Sequence, residues 1–295
     1  MTDSDSIDLF TRTVGDGERR VVFLHGLFGR GKNFTRIAKG LEPECTSLLV
    51  DLPNHGRSDW TEEFDYRAMA DHVAATLRAD FAAAGPVDVI GHSMGGKVAM
   101  VLALRHPELV DRLVVEDISP VGTEAAKSGD AVSDDAVSDD AVSDDAGDAG
   151  SGGSEFDHLL SSLRALDLGS VADRAAADEA LSESIPNRTV RGFLLQNLRS
   201  GDDGLFWEPN LELLHESLAV IGGFPELGDA RFDHPVLWVG GAKSDYIRPE
   251  YGEAMRALFP RTTRMMIKDA GHWLHSEKPE EFIAVLRGFL LDDRD

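Results

Sequence analysis

The chain has one cysteine, Cys45, in 295 residues. A single thiol excludes an internal disulfide framework. Cys45 stands just before an apolar strand pattern, which reads as a packed thiol rather than a nucleophile. No window reaches ~18 uninterrupted apolar residues, so the sequence offers no membrane-spanning helix. The N-terminus, MTDSDSIDLF, lacks the basic-then-apolar pattern of a secretory signal. Together these features predict a cytoplasmic protein. Lysine is scarce as well, with seven against 22 arginines, and acidic residues outnumber basic ones 53 to 29. The formal charge of −24 makes nucleic acid and anionic membranes poor partners. Eight of the aspartates lie in Asp130–Asp148, but without them the charge is still −16. A diffuse acidic surface with little lysine fits a halophilic protein, whose self-repulsion high salt screens.

An apolar fraction of 42 % is enough for a sizeable core. Val21–Leu24, Leu48–Leu52, Val87–Ile90 and Leu113–Glu116 are short apolar runs that alternate with helical patterns at Phe34–Leu41, Tyr66–Phe81 and Met94–His106. Strands apolar on both faces predict a mostly parallel sheet flanked by helices, an α/β fold. An edge strand is expected within Ile7–Val14. The alternation then stops. Asp130–Asp144 repeats DAVSD three times, and the Gly/Ser/Asp-rich surroundings predict a disordered insertion over 123–155. An acidic calcium-binding repeat is the alternative, but the regular glycines of such repeats are absent. Residues 156–222 carry amphipathic stripes without strands, which predicts a helical cap over 156–230. Sheet-type alternation resumes with Val236–Gly240, a helix over Glu250–Phe259, Thr263–Ile267 and a closing helix at Glu280–Leu291. The expected division is thus a core of 1–122 and 231–295, an insertion and a cap.

Chemistry concentrates in Gly91-His92-Ser93-Met94-Gly95. A G-x-S-x-G between a buried strand and a helix is a nucleophile elbow, with Ser93 at the apex. Acyl transfer also needs a base, an acid to orient it and an oxyanion hole. After the last strand comes Asp269-Ala270-Gly271-His272-Trp273, which nominates His272 as base. The backbone N–H of Met94, directly after the nucleophile, and that of Leu27, in the loop after Val21–Leu24, are placed for the oxyanion. The other histidines have plainer readings: His92 as packing, His25 and His55 as loop-shaping residues, and His72, His106, His158, His215 and His234 as surface or cap residues. His275 follows His272 by three positions, yet the sequence shows no third ligand beside the pair, so no metal site is expected. Phe28, Phe193, Trp207 and Trp273 are candidates for an apolar acyl pocket, or simply for packing. Lys97 reads as solvated or as supporting the site from behind.

HGLFG with Asn33-Phe34, DLPNHGRS, GHSMGGKVAM, EDISPV, VRGFLLQNL, VGGAKSDYI and DAGHWLHSEKPEEFI recur in order and together resemble the α/β-hydrolase superfamily. The likeness is to the subfamily of YbfF-type and abhydrolase-domain esterases. It covers the chain except the N-terminal arm and the Asp-rich tract. The resemblance implies cofactor-free carboxylesterase or thioesterase activity on small-molecule acyl substrates. It also leaves two acids open. Most α/β-hydrolases take theirs after the strand that follows the cap, here Asp245. The resembling subfamily uses the aspartate of the D-I-S-P motif, here Asp117, which is the favoured choice. Glu116 and Glu212 are weaker candidates. A C–C hydrolase or a menaquinone-pathway-type lyase shares the fold, and Arg188 and Arg191 could hold its carboxylated substrate. A binding protein that has kept the fold without catalysis is a further reading.

Overall fold

A computed structural model describes residues 7–122 and 152–291. Its centre is a seven-stranded sheet. β1 (Thr11–Val14), β2 (Arg19–Leu24), β3 (Cys45–Val50), β4 (Val87–His92), β5 (Val110–Glu116), β8 (Val236–Gly241) and β9 (Thr262–Ile267) lie in the order β1-β3-β2-β4-β5-β8-β9. Only β1 runs antiparallel, on the edge beside β3. This is the mostly parallel α/β sheet that the apolar runs predict.

The sheet is covered on both faces. Val22, Leu24, Val89, Val115 and Trp238 belong to one buried cluster, while Val21, Phe23, Ile90, Val114 and Leu237 belong to the other. The alternation along each strand sends neighbours to opposite faces. α2 (Tyr66–Thr76) and α3 (Met94–Arg105) pack into the first cluster. α1 (Thr35–Gly40) and the C-terminal α11 (Pro279–Leu290) cover the second. Asp65 caps α2 by accepting hydrogen bonds from the Arg67 and Ala68 N–H groups at 2.6 and 2.9 Å.

Between β5 and β8 the chain forms α4 (Gly152–Ala165), α5 (Arg174–Ala180), α6 (Arg188–Leu195), α7 (Leu211–Glu216) and α8 (Leu218–Gly222). α4 begins at Gly152, so helix replaces the last residues of the expected disordered insertion. The DAVSD repeats lie outside the described residues. The cap is not all-helical either. β6 (Leu198–Gly201) and β7 (Gly204–Trp207) make an antiparallel hairpin inside the stretch 156–222 that the sequence pattern assigns to helices without strands. Gly201-Asp202-Asp203-Gly204 is turn chemistry, and Gly204 takes φ 111°, which suits glycine. α9 (Gly252–Leu258) links β8 to β9, and α10 (Leu274–Glu277) follows the last loop.

Candidate active site

The C-terminal ends of β2, β4, β5 and β8, with the loop after β9, bring the candidate residues together. Ser93 sits between β4 and α3 at φ 52°, ψ −120°, a conformation forced by the sharp turn. The turn closes only because two side chains are missing. A Cβ on Gly91 would lie 2.3 Å from the Gly95 carbonyl oxygen, and one on Gly95 would lie 2.3 Å from that of His25. The Met94 N–H opens α3, where helix geometry leaves it without an internal acceptor. It lies at the positive end of the α3 dipole.

The loop after β2 carries Leu27 and Phe28, with Phe28 at φ 61°. Gly29 N–H donates to the Gly26 carbonyl at 2.9 Å, and Asn197 Nδ2 donates to the Phe28 carbonyl at 2.8 Å. Asn33 Nδ2 donates to Gln196 Oε1 at 3.0 Å, and Arg30 pairs with Glu208 at 2.7 Å. The cap therefore holds this loop from above. His25 shapes it from below. Its Nε2 accepts from the Leu52 N–H at 2.9 Å, so Nδ1 carries the proton and donates to the Gly26 carbonyl at 2.8 Å.

Asp117 follows β5 at φ 49° and is completely buried. Its Oδ2 accepts from His272 Nδ1 at 2.8 Å and from the Ser244 hydroxyl, and its Oδ1 accepts from the Gly241 N–H at 3.0 Å. Three donors hold one carboxylate in one orientation. His272 Nδ1 thus bears the proton, which leaves Nε2 as the basic nitrogen. Asp245, the rival acid, is exposed, and its carboxylate lies 3.9 Å from Arg248. It makes no hydrogen bond to His272. Glu116 contacts His275 instead of His272, and Glu212 pairs with Arg164 on the surface.

Aromatic rings enclose His272. Tyr246 lies 4.3 Å away between ring centroids, His92 4.7 Å and Trp273 5.5 Å. Burial pushes the Tyr246 hydroxyl up to about 12. His92 Nε2 donates to the His272 carbonyl at 2.9 Å, tying the elbow to the base loop. Burial first, then the neighbouring histidines, drives His92 well below the usual imidazole range, so it is neutral. Phe193 packs 6.2 Å from Trp273, and Phe28 lies 6.3 Å from Phe156. Trp207 is half-buried on β7, outside the Phe193–Trp273 contact.

Two basic residues are already occupied. Of its two readings, Lys97 follows the supporting one, being buried rather than solvated. Its ammonium donates to the carbonyls of Ile221, Gly222 and Gly223 at 2.9, 2.9 and 2.8 Å. Burial lowers it to about 7, while the carbonyls at the end of α8 favour its charged form. Arg191 is occupied by Asp178 at 2.9 Å and by the Ile185 and Pro186 carbonyls, so it is not free to hold a substrate carboxylate. Sequence reasoning does not single out Ser244 and Tyr246; their signal is the run GGAKSDYI after β8, in which Asp245 is the conspicuous acid.

The alpha/beta hydrolase fold family matches residues 19–279. The chain is an α/β-hydrolase. A mouse relative, the sn-1-specific diacylglycerol lipase ABHD11, is 33% identical over 276 residues, spanning 92% of this chain and 80% of its own. Esterase YbfF of Escherichia coli is 28% identical, spanning 92% of this chain and 93% of its own. Among solved structures, a marine microorganism esterase superposes with TM-score 0.83 at 30% identity, covering 97% of this chain and 100% of its own. This α/β-hydrolase is thus an enzyme of the esterase and lipase kind. Among the described residues no helix is long and apolar enough to cross a membrane.

Proposed function

We propose that the protein hydrolyses carboxylic esters or thioesters of small to medium acyl groups through a Ser93–His272–Asp117 triad and an acyl-enzyme. The observation that carries this reading is the 2.8 Å contact from His272 Nδ1 to the buried Asp117 carboxylate. It fixes the tautomer that presents Nε2 to the nucleophile side. Ser93 Oγ attacks the acyl carbon as His272 Nε2 takes its proton. The oxyanion accepts from the Leu27 and Met94 N–H groups, each worth ~10²–10³ in rate. His272 then gives the proton to the leaving alkoxide or thiolate. In the second half, His272 deprotonates water, which attacks the acyl carbon, and Ser93 is released with its proton restored.

Phe28, Phe193, Trp207 and Trp273 are the proposed acyl-binding side chains. Phe193 and Trp273 border a cavity together with Leu27, which supports placing them beside the oxyanion loop. The proposed domain division is a hydrolase core of 1–122 and 231–295 bearing a cap over 156–230, in a cytoplasmic protein. A p-nitrophenyl ester chain-length series, with Ser93→Ala as control, tests the activity. Serine-dependent turnover that peaks at short or medium chains is expected. Equal turnover in the Ser93→Ala protein contradicts the proposal.

A further inference from the structure

Behind the catalytic residues lies a second cluster. His92 ends β4, Glu116 ends β5 and His275 lies on α10. One nitrogen from each imidazole and one carboxylate oxygen lie within 4.8 Å of one another. Glu116 is fully buried. Its Oε1 accepts from the His275 backbone N–H at 3.0 Å and from His275 Nδ1 at 2.8 Å. Its Oε2 has no hydrogen-bond partner among the described residues. A buried carboxylate oxygen left without a partner is costly, and an added cation would relieve it. Beside the two imidazoles lies a cavity of about 10 Å³, bordered by His25, Asn33, His92 and His275 and reaching Phe193 and Trp273. That volume holds about one water-sized group.

We propose that His92, Glu116 and His275 form an inhibitory binding site for a divalent transition metal of the zinc class. Two imidazoles and a carboxylate suit Zn²⁺ or Co²⁺, whereas Mg²⁺ and Ca²⁺ prefer more numerous oxygen ligands. The water-sized cavity borders the two imidazoles and reaches Phe193 and Trp273, which gives an ion a route to them and leaves room for one water as a further ligand. A four-coordinate ion with bonds of about 2.0–2.2 Å sets its ligand atoms about 3.3 Å apart. His275 Nδ1 and Glu116 Oε1 are now 2.8 Å apart in a hydrogen bond; the ion takes the place of the Nδ1 proton, which moves to Nε2 of the same ring, the two atoms separate slightly, and His92 draws in.

Inhibition follows from where the ligands sit in the chain. His92 precedes Ser93, Glu116 precedes Asp117, and His275 lies three residues beyond His272. Each ligand therefore adjoins a different member of the proposed triad. An ion that pulls the three together shifts nucleophile, acid and base relative to one another. Its positive charge also disfavours the imidazolium that His272 must become during attack.

The test measures binding and inhibition separately, because only inhibition rests on the proposed hydrolysis. Co²⁺ is titrated into the EDTA-stripped wild-type protein and the Ser93→Ala variant, with the visible absorption of a four-coordinate ion as readout. Zn²⁺ is titrated into the wild-type ester assay. One strong cobalt band per chain is expected in both proteins. Zn²⁺ should lower kcat roughly tenfold or more, reversibly with EDTA, while Mg²⁺ and Ca²⁺ leave it unchanged. His275→Gln should lose the cobalt band and need at least roughly tenfold more Zn²⁺ to lose half of its own uninhibited rate. Thermal unfolding reports whether that variant folds. If it does not, X-ray absorption of the zinc-loaded wild type decides, with two imidazoles expected in the shell. An unchanged band in folded His275→Gln, no band in the wild type, or an all-oxygen shell overturns the site. Absence of ester turnover in the metal-free wild type, with the cobalt band intact, would count against the hydrolase reading alone.

Discussion

At the scale of single residues, buried histidines make acid stability a measurable property. Burial pushes His25 down to about 4 and His55 down to about 3. Each takes up a proton on unfolding below about 6.5, so unfolding becomes easier as pH falls through that window. Asp88 opposes them. Burial raises it to about 6, so the native state holds the extra proton there between about 4 and 6. His55→Gln removes one proton uptake. Urea unfolding between pH 6 and pH 4.5 should therefore show a slope lower than wild type by about 1.4 kcal/mol per pH unit. An unchanged slope would mean that His55 is not held neutral. The two aspartates are distinguished at this scale too. Asp117→Asn should cut kcat by up to ~10⁴ while Asp245→Asn stays within a few-fold, measured on one p-nitrophenyl ester. Comparable losses in both would contradict a single acid. The sequence names both candidates and favours Asp117 only through the family resemblance, because the choice depends on which loop end points inward. β8 ends at Gly241, and the chain then spends four residues reaching Asp245, by which point it has turned outward and Ser244 contacts Asp117 instead.

Elements show a similar split between what periodicity reveals and what only packing decides. The strand–turn–helix at Ser93 is readable because its glycines and apolar run answer to strictly local sterics. The β6–β7 hairpin is not, because its Leu198 and Trp207 also fit an amphipathic stripe. Lys97 keeps two readings open in the sequence for the opposite reason. A lysine on a helix is ordinarily solvated, and nothing local announces that the end of α8 will fold over it. Its three carbonyl partners and the Tyr66 hydroxyl, which donates to the Ile221 carbonyl at 2.8 Å, fasten the end of the cap to α2 and α3. Lys97→Met should cost about 3 kcal/mol, because it strands buried carbonyls that a charged donor had satisfied. Hydrogen exchange should speed up across 218–223 before it does in the sheet. Uniform exchange throughout would refute the latch.

For the molecule as a whole, charge governs solution behaviour while the sheet governs the fold. A formal charge of −24 opposes compaction at low ionic strength. Raising KCl from about 0.1 M toward 1 M shortens the screening length from about 10 to about 3 Å, so Tm should rise with salt. A Tm that is flat or falling over that range would contradict a halophilic surface. The order of motifs along the chain makes the hydrolase architecture legible, since alternating runs specify a covered parallel sheet. The way four strand ends and a cap converge on one serine becomes visible only in three dimensions. The most direct test of that convergence is intact-mass analysis after treatment with a fluorophosphonate, followed by peptide mapping. One adduct on Ser93, formed in step with loss of esterase activity and absent from Ser93→Ala, is the predicted result. An adduct elsewhere, or full activity after Ser93 is labelled, would contradict the account.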